Sequence, residues 1–217
     1  MMLDNLKKYK VILASNSPRR KELLAGLGVE YEVRTLPDVD ESYPETLRGA
    51  DIPLYISREK ADAYRDMMHP DELMITADTI VWLDGQVLGK PKNREEAMQM
   101  LRDMSGRTHE VFTGVCITTT EWQRSFAAAT EVRFAKLNEE EIAYYVDKYH
   151  PMDKAGAYGV QEWIGFIGVE NISGSYYNRG RKINCVMRRF FPSSSVGDRP
   201  APRGCTSTPD ERKVTTI

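Results

Sequence analysis

Two arginines follow a short apolar run near the start of the chain and could bind an anion. Residues 11–14 are apolar, and Ser-Asn-Ser-Pro then leads to Arg19 and Arg20. Ser17 suits a helix N-cap and Pro18 suits the first helical position. A helix start exposes N–H groups with a partial positive charge, and the arginine fork fits phosphate oxygens. The pattern indicates a phosphate site, and two solvent-exposed arginines are the alternative.

A single aspartate interrupts a strongly apolar stretch. Asp78 is the only charged residue in 73–83, a run typical of a buried strand. Because a buried, unpaired carboxylate is costly, we expect Asp78 to meet a metal ion, a cation or a cleft. An aspartate at the end of the strand, or one in a structural ion pair, is the alternative. The acidic loop 38–41, which includes Glu41, could add oxygen ligands for Mg²⁺ or Mn²⁺, or it could be a solvated loop.

Two lysines and a glycine-rich loop complete the candidates. Gly89 permits a close approach of the backbone, and Lys90 offers a point charge for phosphate, as does Lys60. Each lysine could equally be a surface residue. In the loop 153–161, Gln161 could bind a base edge because its amide both donates and accepts hydrogen bonds. A packing loop without a ligand is the alternative.

These residue types favour metal-assisted phosphoryl chemistry over acyl transfer. Cationic side chains accompany carboxylates suited to a hard cation, and no cysteine or histidine nucleophile stands out. The chain lacks GxxxxGK[ST] and GxGxxG, which argues against P-loop and Rossmann domains. Its 3 cysteines form no CxxC, so we expect free thiols in a reducing compartment.

The apolar periodicity predicts an α/β domain that positions these candidates. Strands are predicted at 11–14, 31–36, 73–83, 86–88, 110–119, 124–137 and 166–172. Helices are predicted at 19–28, 53–67, 94–104 and from 139, the last with a capping box of Asn138 and Glu141. Because hairpins interrupt the alternation of strands and helices, the sheet should be mixed.

Charge and composition divide the chain into a folded domain, residues 1–178, and a basic tail, residues 179–217. The whole chain is 41% hydrophobic with a net charge of −2, enough for one domain or two small lobes. The tail holds nine Lys/Arg against three Asp/Glu, a charge of +6, which leaves −8 on the domain. Its prolines and serines predict poor order.

The same composition excludes several classes of partner. An acidic domain has no general attraction for nucleic acid. The basic tail could bind nucleic acid, but it lacks regularly interleaved aromatic residues. No apolar run reaches the roughly 20 residues that span a bilayer. The N-terminus has no apolar core of a signal peptide. We therefore expect a cytoplasmic protein that binds neither membranes nor nucleic acid.

The motifs, in order, resemble those of the Maf family of nucleoside triphosphate pyrophosphatases, once described as septum-formation inhibitors. The matching stretches lie between about residues 10 and 178: Ala14-Ser15-x-Ser17-Pro18-Arg19-Arg20-x-Glu22-Leu23-Leu24, Val39-Asp40-Glu41, Arg58-Glu59-Lys60-Ala61, Ala77-Asp78-Thr79, Gly89-Lys90-Pro91, Ser105-Gly106-x-x-His109, Asp153-Lys154-Ala155-Gly156-Ala157-Tyr158-Gly159-x-Gln161 and Gly174-Ser175-Tyr176-Tyr177. The resemblance implies a fold like that of the inosine triphosphate pyrophosphatases, a mixed twisted sheet with flanking helices and two lobes around a central cleft. It also implies a homodimer.

The resemblance implies cleavage between the α- and β-phosphates of a nucleotide, which gives a monophosphate and pyrophosphate. Asp78 is implied to be the proton acceptor, with Lys90 and Arg19 also catalytic. The implied phosphate ligands are Ser15, Arg19, Lys60 and Lys90. Glu41 and Asp78 are implied to hold a divalent cation, Mg²⁺ or Mn²⁺.

Three further positions bear on the substrate. Arg20, Thr79 and Gln161 match the dTTP/UTP-selective branch of the family, whereas the 7-methyl-GTP branch has Trp at the second arginine and Gln after the aspartate. The resemblance therefore implies a nucleoside triphosphate diphosphatase acting on dTTP and UTP. Modified nucleotides are an alternative substrate, and a non-catalytic regulator of cell division that binds nucleotide or protein is an alternative function.

The chain departs from the family pattern after Asn178. The family continues with a hydrophobic stretch containing Gly-Leu-Pro and a closing helix, whereas this chain continues Arg-Gly-Arg-Lys-Ile-Asn. Loss of the helix would expose its docking surface, at about 1.5–3 kcal/mol for each large side chain. A chain inactivated by its altered C-terminus is therefore a further alternative.

Overall fold

A mixed sheet with helices between its strands forms the protein in the computed structural model, which describes residues 6–37, 39–174 and the backbone of 212–213. The strands are β1 (Lys10–Leu13), β2 (Tyr31–Val33), β3 (Glu72–Leu83), β4 (Gln86–Leu88), β5 (Thr108–Thr118), β6 (Trp122–Phe134), β7 (Val169–Gly174) and β8 (Arg212–Lys213). The helices are α1 (Pro18–Ala25), α2 (Asp51–Asp62), α3 (Arg94–Met104), α4 (Glu139–Tyr149) and α5 (Trp163–Gly168).

The strand order is β2-β1-β3-β5-β6-β7, with β4 paired to β3 and β8 to β6. β1 is parallel to both β2 and β3, with Ile12 in register with Glu32 and Met74. β4 and β7 run antiparallel to β3 and β6. The sheet is thus mixed, and the α/β fold predicted from the sequence is confirmed.

Two compact units divide the described residues. The first contains residues 6–78 and 113–128, and the second contains 79–112 and 129–174. The division agrees with the two lobes that the resemblance implied. The proposed tail 179–217 lies outside the described residues apart from the β8 backbone.

The core of the first unit forms around β1 and β3, in which consecutive residues are buried on both faces of the sheet. Its buried apolar side chains include Val11, Leu13, Leu24, Leu73, Ile75, Val115 and Ile117. α2 lies against β5 so closely that a Cβ on Gly114 would be 2.2 Å from the carbonyl oxygen of Pro53. Only glycine permits that backbone contact, which sets the position of α2 and of the residues it carries.

The second unit is built on α3 and α4. Their apolar faces bury Met98, Leu101, Met104, Ile142, Tyr145 and Val146, together with Val81 and Tyr158. Asn138 accepts from Glu141 N, and the Glu141 side chain accepts from Asn138 N, both at 2.9 Å. The predicted capping box is therefore confirmed.

Several element boundaries differ from the prediction. α1 ends at Ala25, α2 begins at Asp51 and ends at Asp62, and β2 and β6 end at Val33 and Phe134. The prediction of a strand from 166 is wrong for residues 166–168, which belong to α5. Phe166 is 80% exposed there. A short apolar run does not distinguish strand from helix by periodicity, and here two glycines permit a tight helical turn.

Candidate functional site

The ammonium group of Lys60 lies between two carboxylates in the first unit. Its Nζ is 2.7 Å from Oε1 of Glu41 and 2.9 Å from Oδ1 of Asp78. Lys60 lies in the last turn of α2, and Asp78 lies on β3. The side chains of Lys60 and Asp78 are each 13% exposed, whereas that of Glu41 is 56% exposed. Asp78 therefore has a cationic partner, which fits both the expected cation and the alternative of a structural ion pair. From the acidic loop 38–41, Glu41 reaches the same ammonium, and Asp38 lies outside the described residues.

Arginine side chains at the start of α1 add positive charge near Lys60, Glu41 and Asp78. Arg20 Nη1 donates to Oγ of the buried Ser15 at 3.1 Å. Burial lowers the pKa of the Arg20 guanidinium, the carboxylates of Asp78 and Glu41 raise it, and the charge of Arg19 lowers it. Because Coulomb interactions weaken with distance, Arg19, Asp78 and Glu41 each lie near Arg20. The guanidinium stays protonated at neutral pH.

The start of α1 differs in one detail from the prediction. Ser17 stands at the N-cap position, but its side chain makes no capping hydrogen bond. Instead, its N–H donates to Ser15 Oγ at 3.3 Å. Ser15 therefore accepts from both the backbone and Arg20, which ties the arginine to the turn. Pro18 occupies the first turn as predicted, and that turn contains no acidic residue.

Two glycine-rich segments meet in the second unit. The N–H of Gly156 donates to the carbonyl of Gly89 at 2.9 Å, next to the exposed Lys90. Gly156 has a φ of +69°, and a Cβ there would lie 2.8 Å from Cγ2 of Val81. The loop thus packs against β3, and it also borders the segment that carries Lys90.

The remaining candidates also belong to the second unit. Thr79 is half-buried on β3, and Gln161 is exposed just before α5. Tyr158 is fully buried, and its hydroxyl lies 2.6 Å from Nε2 of His109. Tyr158 therefore packs in the core of the second unit, whereas Gln161 is exposed.

Sequence reasoning missed a polar cluster beside Gln161. The side chains of Tyr145 and Lys154 both contact the carboxylate of Glu162. Lys154 was quoted only as part of a motif, and nothing in the spacing of the three residues links them. A charged residue within a run of small residues is the one signal that could have pointed to the cluster.

A divalent cation is compatible with the carboxylates of the first unit. Glu41 and Asp78 already converge on one cationic group, and their oxygens are the hard ligands that Mg²⁺ and Mn²⁺ prefer. No group of three or more His, Cys, Asp or Glu side chains suited to a metal occurs in the described part of the chain. Phosphate oxygens and water would complete the coordination, as is usual for Mg²⁺.

Two other sequence-based expectations concern the thiols and membranes. Cys116 is a free, buried thiol, and burial raises its pKa to about 11. Cys185 and Cys205 lie outside the described residues. Within residues 6–174, helices are too short or too polar to cross a bilayer.

Comparison with known proteins gives consistent matches over the same part of the chain. A family model described as "Maf-like protein" matches residues 10–179. A "dTTP/UTP pyrophosphatase" of Bacteroides thetaiotaomicron is 75% identical over 177 residues, which cover 82% of this chain and 92% of that protein. A protein of the same name from Bacteroides fragilis is 70% identical over 177 residues, with the same coverage.

Among solved structures, the Ham1 protein of Staphylococcus aureus aligns with a TM-score of 0.49 and 18% identity. The alignment covers 83% of this chain and 97% of that one.

Proposed function

The chain belongs to the Maf-like protein family, and on that premise we propose that it hydrolyses dTTP and UTP to the monophosphate and pyrophosphate. The observation that carries the proposal is the position of Lys60 between Glu41 and Asp78, with Arg19 and Arg20 nearby. This arrangement combines phosphate-binding cations with a carboxylate that can act on water. The names of relatives with up to 75% identity support the choice of substrate.

Binding of the triphosphate depends on the cationic side chains. Arg19 presents a fork that matches two phosphate oxygens, and Lys60 presents a point charge. We assign Lys90 and Ser15 to phosphate binding on the resemblance. In the free protein the ammonium of Lys60 is held by carboxylates, so it is available to phosphate only when those contacts are exchanged.

Asp78 acts as the proton acceptor in this proposal. Water attacks the α-phosphorus, its proton passes to the Asp78 carboxylate, and the bond to the bridging oxygen breaks. Pyrophosphate leaves, and cationic side chains stabilise the charge that develops on it. Lys60 donates to Oδ1 of Asp78 at 2.9 Å. If the Lys60 ammonium moves to a phosphate group, Oδ1 of Asp78 loses this donor and can accept a proton from water.

A divalent cation, Mg²⁺ or Mn²⁺, completes the proposal, with Glu41 and Asp78 as its protein ligands. When bound, it would neutralise charge on the triphosphate and favour departure of pyrophosphate. In this proposal, the two carboxylates bind the divalent cation, and the arginine and lysine side chains bind the phosphate groups.

Base selectivity is assigned to Arg20, Thr79 and Gln161. The Gln161 amide offers one donor group and one acceptor group, which match the N3–H and the neighbouring carbonyl of uracil or thymine. The resemblance further supports a homodimer and a cytoplasmic location, and light scattering on the purified chain would test the first of these.

The central experiment measures pyrophosphate release from dTTP, UTP, CTP, GTP and 7-methyl-GTP with Mg²⁺ or Mn²⁺. We expect dTTP and UTP to be preferred. Asp78→Asn should reduce kcat by about a hundredfold or more while nucleotide binding persists, because a general base contributes about 10²–10⁴ to the rate. Asp62→Asn is the matched control, since Asp62 lies in the same unit in a surface ion pair with Arg65.

Three outcomes would count against the proposal. Release of pyrophosphate equally from all five nucleotides would remove the selectivity for dTTP and UTP. Full activity of Asp78→Asn would remove Asp78 as the proton acceptor. Tight nucleotide binding without turnover in the wild-type chain would favour the non-catalytic alternative.

A further inference from the structure

Tyr145, Lys154 and Glu162 form a polar cluster in the second unit that the reaction itself does not use. Tyr145 is fully buried, and the side chains of Lys154 and Glu162 are 10% and 20% exposed. Lys154 Nζ lies 3.2 Å from Oε1 of Glu162, and the Tyr145 hydroxyl donates to Oε2 of Glu162. Both carboxylate oxygens therefore have a donor. A charged cluster with so little exposure adds little stability, so its geometry is the more informative property.

The Tyr145 hydroxyl joins the two ends of a four-residue turn. Besides donating to Glu162, it accepts the N–H of Gly159 at 2.9 Å. Within the turn, the N–H of Glu162 donates to the carbonyl of Gly159 at 3.0 Å. Gln161 is the third residue of this turn and is exposed. One buried hydroxyl thus holds the segment that presents the Gln161 amide.

Close packing restricts the same segment. A Cβ on Gly159 would lie 2.6 Å from Cδ of Glu162, and a Cβ on Gly165 would lie 1.8 Å from the carbonyl oxygen of Val160. The N–H of Gly165 also donates to the carbonyl of Glu162 at 2.9 Å. The turn is therefore fixed by the cluster on one side and by α5 on the other.

We infer that Tyr145 and Glu162 are positioning residues that set base selectivity by fixing the turn that carries Gln161. The inference rests on the proposed function, in which Gln161 binds the base. Uracil and thymine present a donor at N3 beside an acceptor at O4, whereas cytosine presents an acceptor beside a donor. Because a glutamine amide can rotate to present either group, it discriminates between these edges only where its backbone is fixed closely enough for one orientation to fit. An amide on a mobile turn adapts to both edges. Lys154 neutralises the carboxylate that completes the turn.

The test is the selectivity of Tyr145→Phe, expressed as the ratio of kcat/KM for UTP to that for CTP. Phenylalanine keeps the buried ring and removes only the hydroxyl. We expect the ratio to fall about tenfold, the size of effect that loss of one specific hydrogen bond produces. The loss should appear mainly in KM for UTP. Tyr149→Phe is the matched control. Tyr149 lies on the same helix, and its ring stacks on that of Tyr145 with 5.1 Å between the ring centroids.

A double-mutant cycle separates positioning from general destabilisation. If Tyr145 acts through Gln161, then Gln161→Ala alone lowers the ratio and Tyr145→Phe in that background lowers it no further. Glu162→Ala should lower the ratio of kcat/KM for UTP to that for CTP. Glu162→Gln keeps the shape of the side chain and one acceptor, so it should keep most of the wild-type ratio. Melting temperatures identify variants that fail to fold.

The outcomes distinguish this inference from the proposed function. A wild-type chain that prefers UTP, with an unchanged preference in Tyr145→Phe, overturns the inference and leaves the function standing. Additive losses in the double variant also overturn it, since they show independent action. A wild-type chain with no preference between UTP and CTP overturns both.

Discussion

At the scale of single residues, Lys60 determines the state of the site in the free protein. Its ammonium binds the two carboxylates to which we assign the divalent cation. A lysine ammonium and a divalent cation that bind the same carboxylate oxygens weaken each other's binding, because their positive charges repel. Phosphate groups attract the ammonium, so nucleotide binding should release the carboxylates and favour the cation.

Replacement of Lys60 by methionine tests this competition. Lys60→Met keeps the length of the side chain and removes its charge. We expect kcat/KM for UTP to fall at least about a hundredfold, because a phosphate-binding cation is lost. Without nucleotide, we expect Mn²⁺ to bind about tenfold more tightly, since a charge-assisted hydrogen bond no longer competes. Electron paramagnetic resonance of free Mn²⁺ measures that affinity without reference to activity.

Lys10→Met is the matched control for this variant. Lys10 also pairs with a carboxylate, Glu32, at 2.6 Å, but the Lys10 side chain is 52% exposed. Solvent screens such a pair, so Mn²⁺ affinity and activity should both stay at the wild-type level. Weaker Mn²⁺ binding in Lys60→Met than in the wild type would show that Lys60 supports the cation rather than competing with it.

At the scale of elements, a buried ion pair links the end of β2 to the start of β3. Arg34 donates to both oxygens of Glu72 at 2.9 and 2.7 Å, and the Glu72 side chain is fully buried. The hydrogen bonds from Arg34 hold the pKa of Glu72 below its ordinary value of 4.5, although burial opposes them. The N–H of His69 contributes a further hydrogen bond at 3.1 Å.

The pair predicts a loss of stability in acid. Because the pKa of Glu72 is lower in the folded state, its contribution is complete above about pH 4.5 and is lost as the pH falls through the folded-state value. Glu72→Gln should lower the free energy of unfolding by about 3 kcal/mol at pH 7. The difference from the wild type should shrink below pH 4.5. Urea titrations from pH 7 to pH 3 measure it.

The exposed Glu32 supplies the comparison for that titration. Glu32→Gln removes a carboxylate that is 47% exposed and lies 3.7 Å from Arg34. We expect little change in stability at any pH, since solvent screens the charge. A constant difference between Glu72→Gln and the wild type across the whole pH range would contradict the assignment to ionisation.

The elements also show how much the sequence could predict. The capping box at Asn138 was predictable because it depends on two side chains three residues apart. A partner for Asp78 was predictable, because an isolated carboxylate in an apolar strand was expected to meet a metal ion, a cation or a cleft. The helix at residues 166–168 was not predictable because a short apolar run fits a strand and a helix equally well. The Tyr145 cluster was not predictable because it joins Tyr145 to Glu162, which lies 17 residues away in the sequence.

At the scale of the whole molecule, the match to the family and the composition of the chain change at the same place. The family model ends at residue 179, and the alignments with the relatives cover 82% of the chain and 92% of the relatives. Residues 179–217 carry a net charge of +6, against −8 for residues 1–178. The last segment is therefore outside the part of the chain for which the relatives support a function.

A replacement of residues 179–217 tests whether that segment limits the enzyme. In the variant, the ending typical of the family, with Gly-Leu-Pro and a closing helix, follows Asn178. Covering two large apolar side chains should stabilise the domain by about 3–6 kcal/mol, and at this chain length each kcal/mol raises the melting temperature by about 2–4 °C. We therefore expect an increase of at least about 6 °C, together with faster pyrophosphate release if the ending also orders the site. A scrambled sequence of equal length and composition is the control. Equal melting temperatures for all three chains would mean that residues 6–174 have the stability they need without a closing helix, and the alternative of a chain inactivated by its C-terminus would then have no physical basis.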